Sequence, residues 1–99
     1  MWHVVFTRQA AKDAKRLKVA GLDAKAKRLV SLVEHEPFAN PPRYEALLGN
    51  LEGLYSRRIN LQHRFVYEVL SEPLEIDGKS FEGTVKVVRM WTHYDGVGH

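Results

Sequence analysis

The chain contains no cysteine. That removes disulfide frameworks, thiolate metal sites and cysteine nucleophiles together, and it fits a reducing cytoplasm. No apolar run approaches the roughly 18 residues of a membrane span, and the apolar start Met1 to Phe6 is too short for a signal peptide. The phosphate-cradling GxGxxG and P-loop patterns are missing, as are HExxH and Gly-x-Ser-x-Gly. The five histidines show no i, i+4 pairing, so neither a metal site nor a cofactor is expected. There is no internal repeat and no low-complexity tract.

What is present is an ordinary globular composition. Ninety-nine residues, 44% hydrophobic and 27% charged, suit one domain over the whole chain, 1–99, with one core. Fifteen Lys+Arg against twelve Asp+Glu leave a formal charge of +3, compatible with a nucleic-acid partner. The placement of charge says more than its sum. Eight basic residues between Arg8 and Arg28 face only Asp13 and Asp23, a pattern of solvated helix faces. From Tyr55 to Tyr67 there are three arginines, Arg57, Arg58 and Arg64, and no acid. Arginines inside strand-like sequence suggest phosphate, which their planar fork fits.

Met1 to Phe6 is rich in aromatic and β-branched residues and predicts a first strand. Thr7 is placed to cap a helix from Arg8 to Ala20, with Ala10, Ala14 and Leu17 on its apolar face and Gly21 as its stop. A second helix follows from Leu22 or Asp23 to Glu36, with Ala26, Leu29, Val30 and Val33 at helical spacing and Pro37 ending it. Phe38 to Gly53, punctuated by Pro41, Pro42, Gly49 and Gly53, reads as a long loop and a candidate site wall. Strands are expected over Tyr55 to Ile59 and His63 to Val69. In the second of these, Phe65, Tyr67 and Val69 share one face, and Arg64, Val66 and Glu68 the other. Asp77-Gly78 signals a type I′ turn and a hairpin arm over 70–83. The last strand is expected from Thr84 to Tyr94, with Val85, Val87, Arg89, Trp91 and His93 in phase. The order β-α-α-β-β-β predicts an α+β fold, a mostly antiparallel sheet packed by an N-terminal helical hairpin.

Cleaving RNA through side chains alone requires a base for the ribose 2′-OH, cations for the pentacoordinate phosphorus and an acid for the departing 5′-oxygen. A carboxylate, arginines and a histidine can divide those tasks. Each candidate also has a plain structural reading. A loop glutamate such as Glu45 is usually solvated, a lone strand histidine such as His93 is usually a hydrogen-bonded structural residue, and the arginines can pair with acids across the sheet. Trp91 and Tyr94 can be core or edge aromatics, and His35 and His63 read as structural.

At these residues the chain resembles a known family. Glu45-Ala46-Leu47, Asn50-Leu51-Glu52-Gly53, Tyr55-Ser56-Arg57-Arg58-Ile59, His63-Arg64-Phe65-Val66-Tyr67 and Thr92-His93-Tyr94 are similar to the YoeB/Txe toxins of the RelE superfamily, from bacterial type II toxin–antitoxin pairs. The resemblance is close over Tyr44 to Val69 and at the His-Tyr of the last strand. In the helical hairpin it lies in length and pattern.

The resemblance implies a ribosome-dependent mRNA endoribonuclease that leaves a 2′,3′-cyclic phosphate and a 5′-hydroxyl and so inhibits translation. Glu45 then matches the general base, Arg64 the phosphate-stabilising arginine, His93 the general acid and Tyr94 a residue that orders the substrate. Arg57, Arg58 and Arg89 are expected on the RNA-binding surface. The implied partners are a YefM- or Axe-like antitoxin, mRNA and the ribosome, whose A site the toxin would enter. Operator DNA would be reached only through the antitoxin, and no membrane is involved. A homodimer is compatible with the family. Two departures stand out: a longer arm at 70–83, and a tail, Asp95 to His99, beyond the tyrosine. Two other classes remain open, a toxin-fold protein acting by binding, as in the gyrase-directed ParE branch, and a catalytically silent RNA- or antitoxin-binding module.

Overall fold

The computed structural model describes residues 1–91. Strand β1 (His3–Phe6) leads into helices α1 (Arg8–Val19) and α2 (Asp23–His35). Then come β2 (Tyr44–Ala46), a single 3₁₀ turn at Gly49–Leu51, β3 (Leu54–Arg58) and β4 (Arg64–Leu70). A small hairpin of β5 (Leu74–Ile76) and β6 (Lys79–Phe81) precedes β7 (Thr84–Arg89). The main sheet has the order β1-β7-β4-β3-β2, with β1 parallel to β7 and the other neighbours antiparallel. The expected α+β fold is therefore the observed one.

Helix α1 forms where its capping chemistry places it. Thr7 accepts from the Ala10 amide at 3.0 Å and donates its own hydroxyl proton to the Val88 carbonyl at 2.8 Å. The start of α1 is thus capped and fastened to β7 by one side chain. Gly21 takes φ +75° between the helices, the left-handed conformation that ends a helix most readily at glycine. The stripe of Ala10, Leu17, Ala26, Leu29 and Val33 is buried against Phe65, Tyr67, Val85, Val87, Ile59 and Met90. This apolar layer between helices and sheet is the main source of stability, at about 25 cal/mol per Å² removed from water.

Three expectations change. The stretch after Pro37 is not wholly loop, because Tyr44, Glu45 and Ala46 pair with Arg57, Ser56 and Tyr55 of β3. Three residues are too few to show a period of two, and they become a strand because β3 offers an open edge. The element order therefore gains β2 relative to β-α-α-β-β-β, and the expected arm stands as β5–β6. The third change lies in β7. Tyr67 faces Val87 whereas Val66 faces Arg89, so Val88 is an extra residue and the alternation breaks there. Met90, rather than Arg89, is the next residue in the core. The strand itself ends at Arg89.

The arm at 70–83 forms as a hairpin, with Asp77 at φ 51° and Gly78 at φ 79°, the positive pair a type I′ turn requires. At its base a Cβ on Gly83 would lie 2.3 Å from the Leu70 carbonyl oxygen and 2.6 Å from the Trp2 ring. Only glycine lets the arm return to the sheet so closely.

Candidate active site

The face of the sheet away from the helices carries the candidate chemistry. Along β3 and β4, alternation sends Tyr55, Arg57, Phe65 and Tyr67 toward the helices and Ser56, Arg58, Arg64 and Val66 to the other side. The register sets Glu45 opposite Ser56, Ser56 opposite Val66, and Arg58 opposite Arg64. Pro42, Arg43, Glu45, Ser56, Arg58 and Arg64 line a cleft of about 330 Å³ on this face. Strand β2 supplies its acid and strands β3 and β4 its cations. The prolines before β2 bring Arg43 to the rim.

Glu45 and Arg64 form an ion pair at 3.8 Å, the glutamate side chain about half exposed and the arginine 20% exposed. Three guanidinium groups against one carboxylate leave the cleft with an excess of positive charge. Arg58 and Arg64 stand directly opposite one another on adjacent strands, a like-charge pairing that costs energy. Glu45 offsets part of this repulsion, and an anion in the cleft would offset more. A carboxylate beside paired guanidinium groups, open to solvent, can take a proton from a hydroxyl while cations stabilise charge growing on a phosphate. A larger groove of about 390 Å³ lies between the helices and is mainly apolar, with Ala14, Leu17, Ala26, Val30 and Met90 in its wall. It lacks this acid-and-arginine grouping.

Arg57, expected on the RNA-binding surface, is instead a core residue, 1% exposed. Its Nε donates to the Tyr67 hydroxyl at 3.0 Å, one terminal nitrogen to the Pro37 carbonyl at 2.9 Å and the other to the Pro42 carbonyl. The Tyr67 hydroxyl also donates to the Pro37 carbonyl, at 2.8 Å. Burial raises the Tyr67 phenol above its ordinary pKa, although the neighbouring guanidinium pulls the other way. The guanidinium also lies over the Tyr44 ring, 4.9 Å from its centroid. Arg57 thus clamps the proline-rich segment ahead of β2 and holds Glu45 in place from behind. Strand alternation separates it from Arg58, and adjacent arginines here do opposite jobs.

Arg89 is likewise drawn away from the expected RNA surface. Its Nε donates to Asp13 at 2.8 Å and a terminal nitrogen donates to the Trp91 carbonyl at 3.0 Å. Arg58 stays exposed in the cleft. His93 and Tyr94 lie outside the described residues. Just before them Trp91 stacks on the buried His63 ring at 4.0 Å, with the Arg16 guanidinium 5.8 Å from the indole.

Comparison with known proteins gives the chain a family. The model of the family described as YoeB-like toxin of bacterial type II toxin–antitoxin systems matches residues 6–94. The chain belongs to the YoeB-like toxins. Among its relatives is a Toxin YoeB of Synechocystis sp., 40% identical over 48 residues, which are 48% of this chain and 56% of that protein. The chain spans about half the length of the curated relatives it matches. Of solved structures, a YoeB/ParE toxin from Agrobacterium tumefaciens superposes with a TM-score of 0.74 at 29% identity, covering 93% of this chain and 99% of that one. A structure of the YoeB–YefM complex from Staphylococcus aureus gives 0.69 at 28%, covering 95% and 99%. The RelE-type fold of the YoeB-like toxins is thus reached by sequence and by structure alike.

Asp13 and Ser56 are structural features that sequence reasoning passed over. Asp13 is fully buried and accepts from the Met90 amide at 3.0 Å, from Arg89 at 2.8 Å and from Gln9 at 3.0 Å. Burial alone would raise its pKa, but these donors hold the carboxyl below the ordinary value. The signal was its spacing, three residues after Ala10 and four before Leu17, on the apolar face of α1. Ser56 is 2% exposed and its Oγ has no hydrogen-bond partner among the described residues. Arg43 had only its place in the loop to mark it.

Proposed function

We propose that the cleft cleaves mRNA in the ribosomal A site. Glu45 removes the proton of the ribose 2′-OH. The 2′-oxygen forms a bond to the adjacent phosphorus and the bond from phosphorus to the 5′-oxygen breaks, leaving a 2′,3′-cyclic phosphate. Arg64 and Arg58 stabilise the charge on the phosphorus oxygens, and the departing 5′-oxygen takes its proton from His93. Tyr94 orders the substrate. The roles of His93 and Tyr94 rest on the resemblance of Thr92-His93-Tyr94 to the family's ending. The observation that carries the reading is the Glu45–Arg64 pair, with carboxylate and guanidinium at 3.8 Å in a cleft whose other cations are arginines. Protein binding alone gives no reason to place a base among phosphate-sized donors. We further propose that a YefM-like antitoxin silences the toxin by laying an acidic segment over the same arginines, whose charge would attract it.

The test is primer extension on translated mRNA, with wild type and Glu45→Ala compared in single-turnover reactions. Wild type should cut, and Glu45→Ala should be slower by about 10²–10⁴-fold. An mRNA with a 2′-deoxyribonucleotide at the scissile position should bind and resist cleavage. Cleavage of that substrate would make water the nucleophile and remove the role given to Glu45.

A further inference from the structure

We infer that Ser56 is a direct ligand of the scissile phosphate, its hydroxyl donating to a non-bridging oxygen beside Arg64. The inference rests on the ribonuclease reading and adds a neutral donor to it. Ser56 sits in the middle strand of the cleft floor, opposite Glu45 on one side and Val66 on the other. Directly opposed side chains on neighbouring strands have Cβ atoms about 4.5–5.5 Å apart. Ser56 is therefore next to the base and two residues along the strand from Arg58. Ser56 is among the residues that line the cleft, and its hydroxyl is buried with no hydrogen-bond partner among the described residues. Buried hydroxyls are nearly always satisfied, and one left open in a cationic cleft has an acceptor still to come. The residues around it fix what that acceptor is. Arg43, Arg58 and Arg64 gather an anion, and Glu45 cannot be displaced if it is to act as base. A phosphate oxygen meets the hydroxyl's need on charge, size and position. The hydroxyl needs no deprotonation and forms no covalent bond. It contributes a short directional contact where guanidinium groups contribute charge.

The experiment uses mRNA carrying an Rp or an Sp phosphorothioate at the scissile linkage, with wild type, Ser56→Ala and Arg64→Ala assayed on ribosomes in single turnover. Sulfur is a poor hydrogen-bond acceptor, so the isomer that presents sulfur to Ser56 should be cut more slowly by wild type. In Ser56→Ala the all-oxygen substrate should be cut about 5- to 50-fold more slowly and that slowing by sulfur should be lost. The thermal midpoint of Ser56→Ala should equal or exceed that of wild type, because an unsatisfied hydroxyl is removed. Arg64→Ala should be slow while keeping the serine-dependent isomer difference. An unchanged rate in Ser56→Ala overturns the inference. So does a slowed rate with the isomer preference intact, or a clearly lowered midpoint, since each makes the hydroxyl structural. Wild type that cuts neither oxygen nor sulfur substrates overturns the ribonuclease reading instead, so the two failures are distinct.

Discussion

Replacing Asp13 by alanine is expected to cost this toxin more stability than any change in its cleft. The carboxylate is fully buried and accepts three hydrogen bonds, two of them from Arg89 and from the Met90 amide where β7 leaves the sheet. Alanine would leave a buried amide and one face of a guanidinium without an acceptor. Breaking a buried ion pair costs about 3–5 kcal/mol. Arg89 is 38% exposed, so water takes over part of its loss, and about 2–4 kcal/mol remains. For a chain of this size that is roughly a 10–25 °C fall in thermal midpoint. Asp13→Asn keeps one acceptor and should fall by about half as much.

The pH dependence follows from the sign of the shift. The folded carboxyl titrates below its unfolded value, so the unfolded chain binds a proton first as pH falls. The stabilisation is complete above the unfolded value of about 4 and disappears as pH drops through the lower, folded value. Urea melts at pH 7 and pH 3 should therefore show the gap between wild type and Asp13→Asn narrowing in acid. Two results would refute the reasoning: a fall of less than about 3 °C in Asp13→Ala, or an Arg89→Ala variant that melts like wild type and loses ribosome binding.

Arg57→Ala should behave as a folding mutant, losing about 2–4 kcal/mol because the Tyr67 hydroxyl and the Pro42 carbonyl lose the Arg57 donor and the Pro37 carbonyl keeps only that of Tyr67. Its chemical denaturation midpoint should drop, whereas Arg58→Ala should leave that midpoint nearly unchanged and lower the cleavage rate. Arg64→Lys should recover little of the rate lost in Arg64→Ala, since one ammonium cannot reproduce the planar fork. Single-turnover kinetics at saturating ribosomes would show this, and near-wild-type rates in Arg64→Lys would reduce the role of Arg64 to bulk charge.

Much of this protein was determined by local sequence. The two helices, the cap of α1 at Thr7 and its stop at Gly21, the Asp77-Gly78 turn and the alternation in β4 depend on residues within a few positions of one another. Their physics is therefore legible in a linear string. The motif from Leu51 to Tyr67 identified the family for the same reason, as an ordered local pattern. Tertiary structure decided which charges face water. Arg57 and Arg58 are neighbours with the same side chain, yet strand pleating buries one behind Tyr67 and opens the other to the cleft. Asp13 looks like a surface acid until α1 docks and a β7 residue 76 positions away donates to it. The edge strand that carries Glu45 has no pattern of its own, and it exists because β3 leaves an unpaired edge and Arg57 holds the preceding prolines. Burial and long-range hydrogen bonding depend on partners distant in sequence, so those assignments came only with the fold.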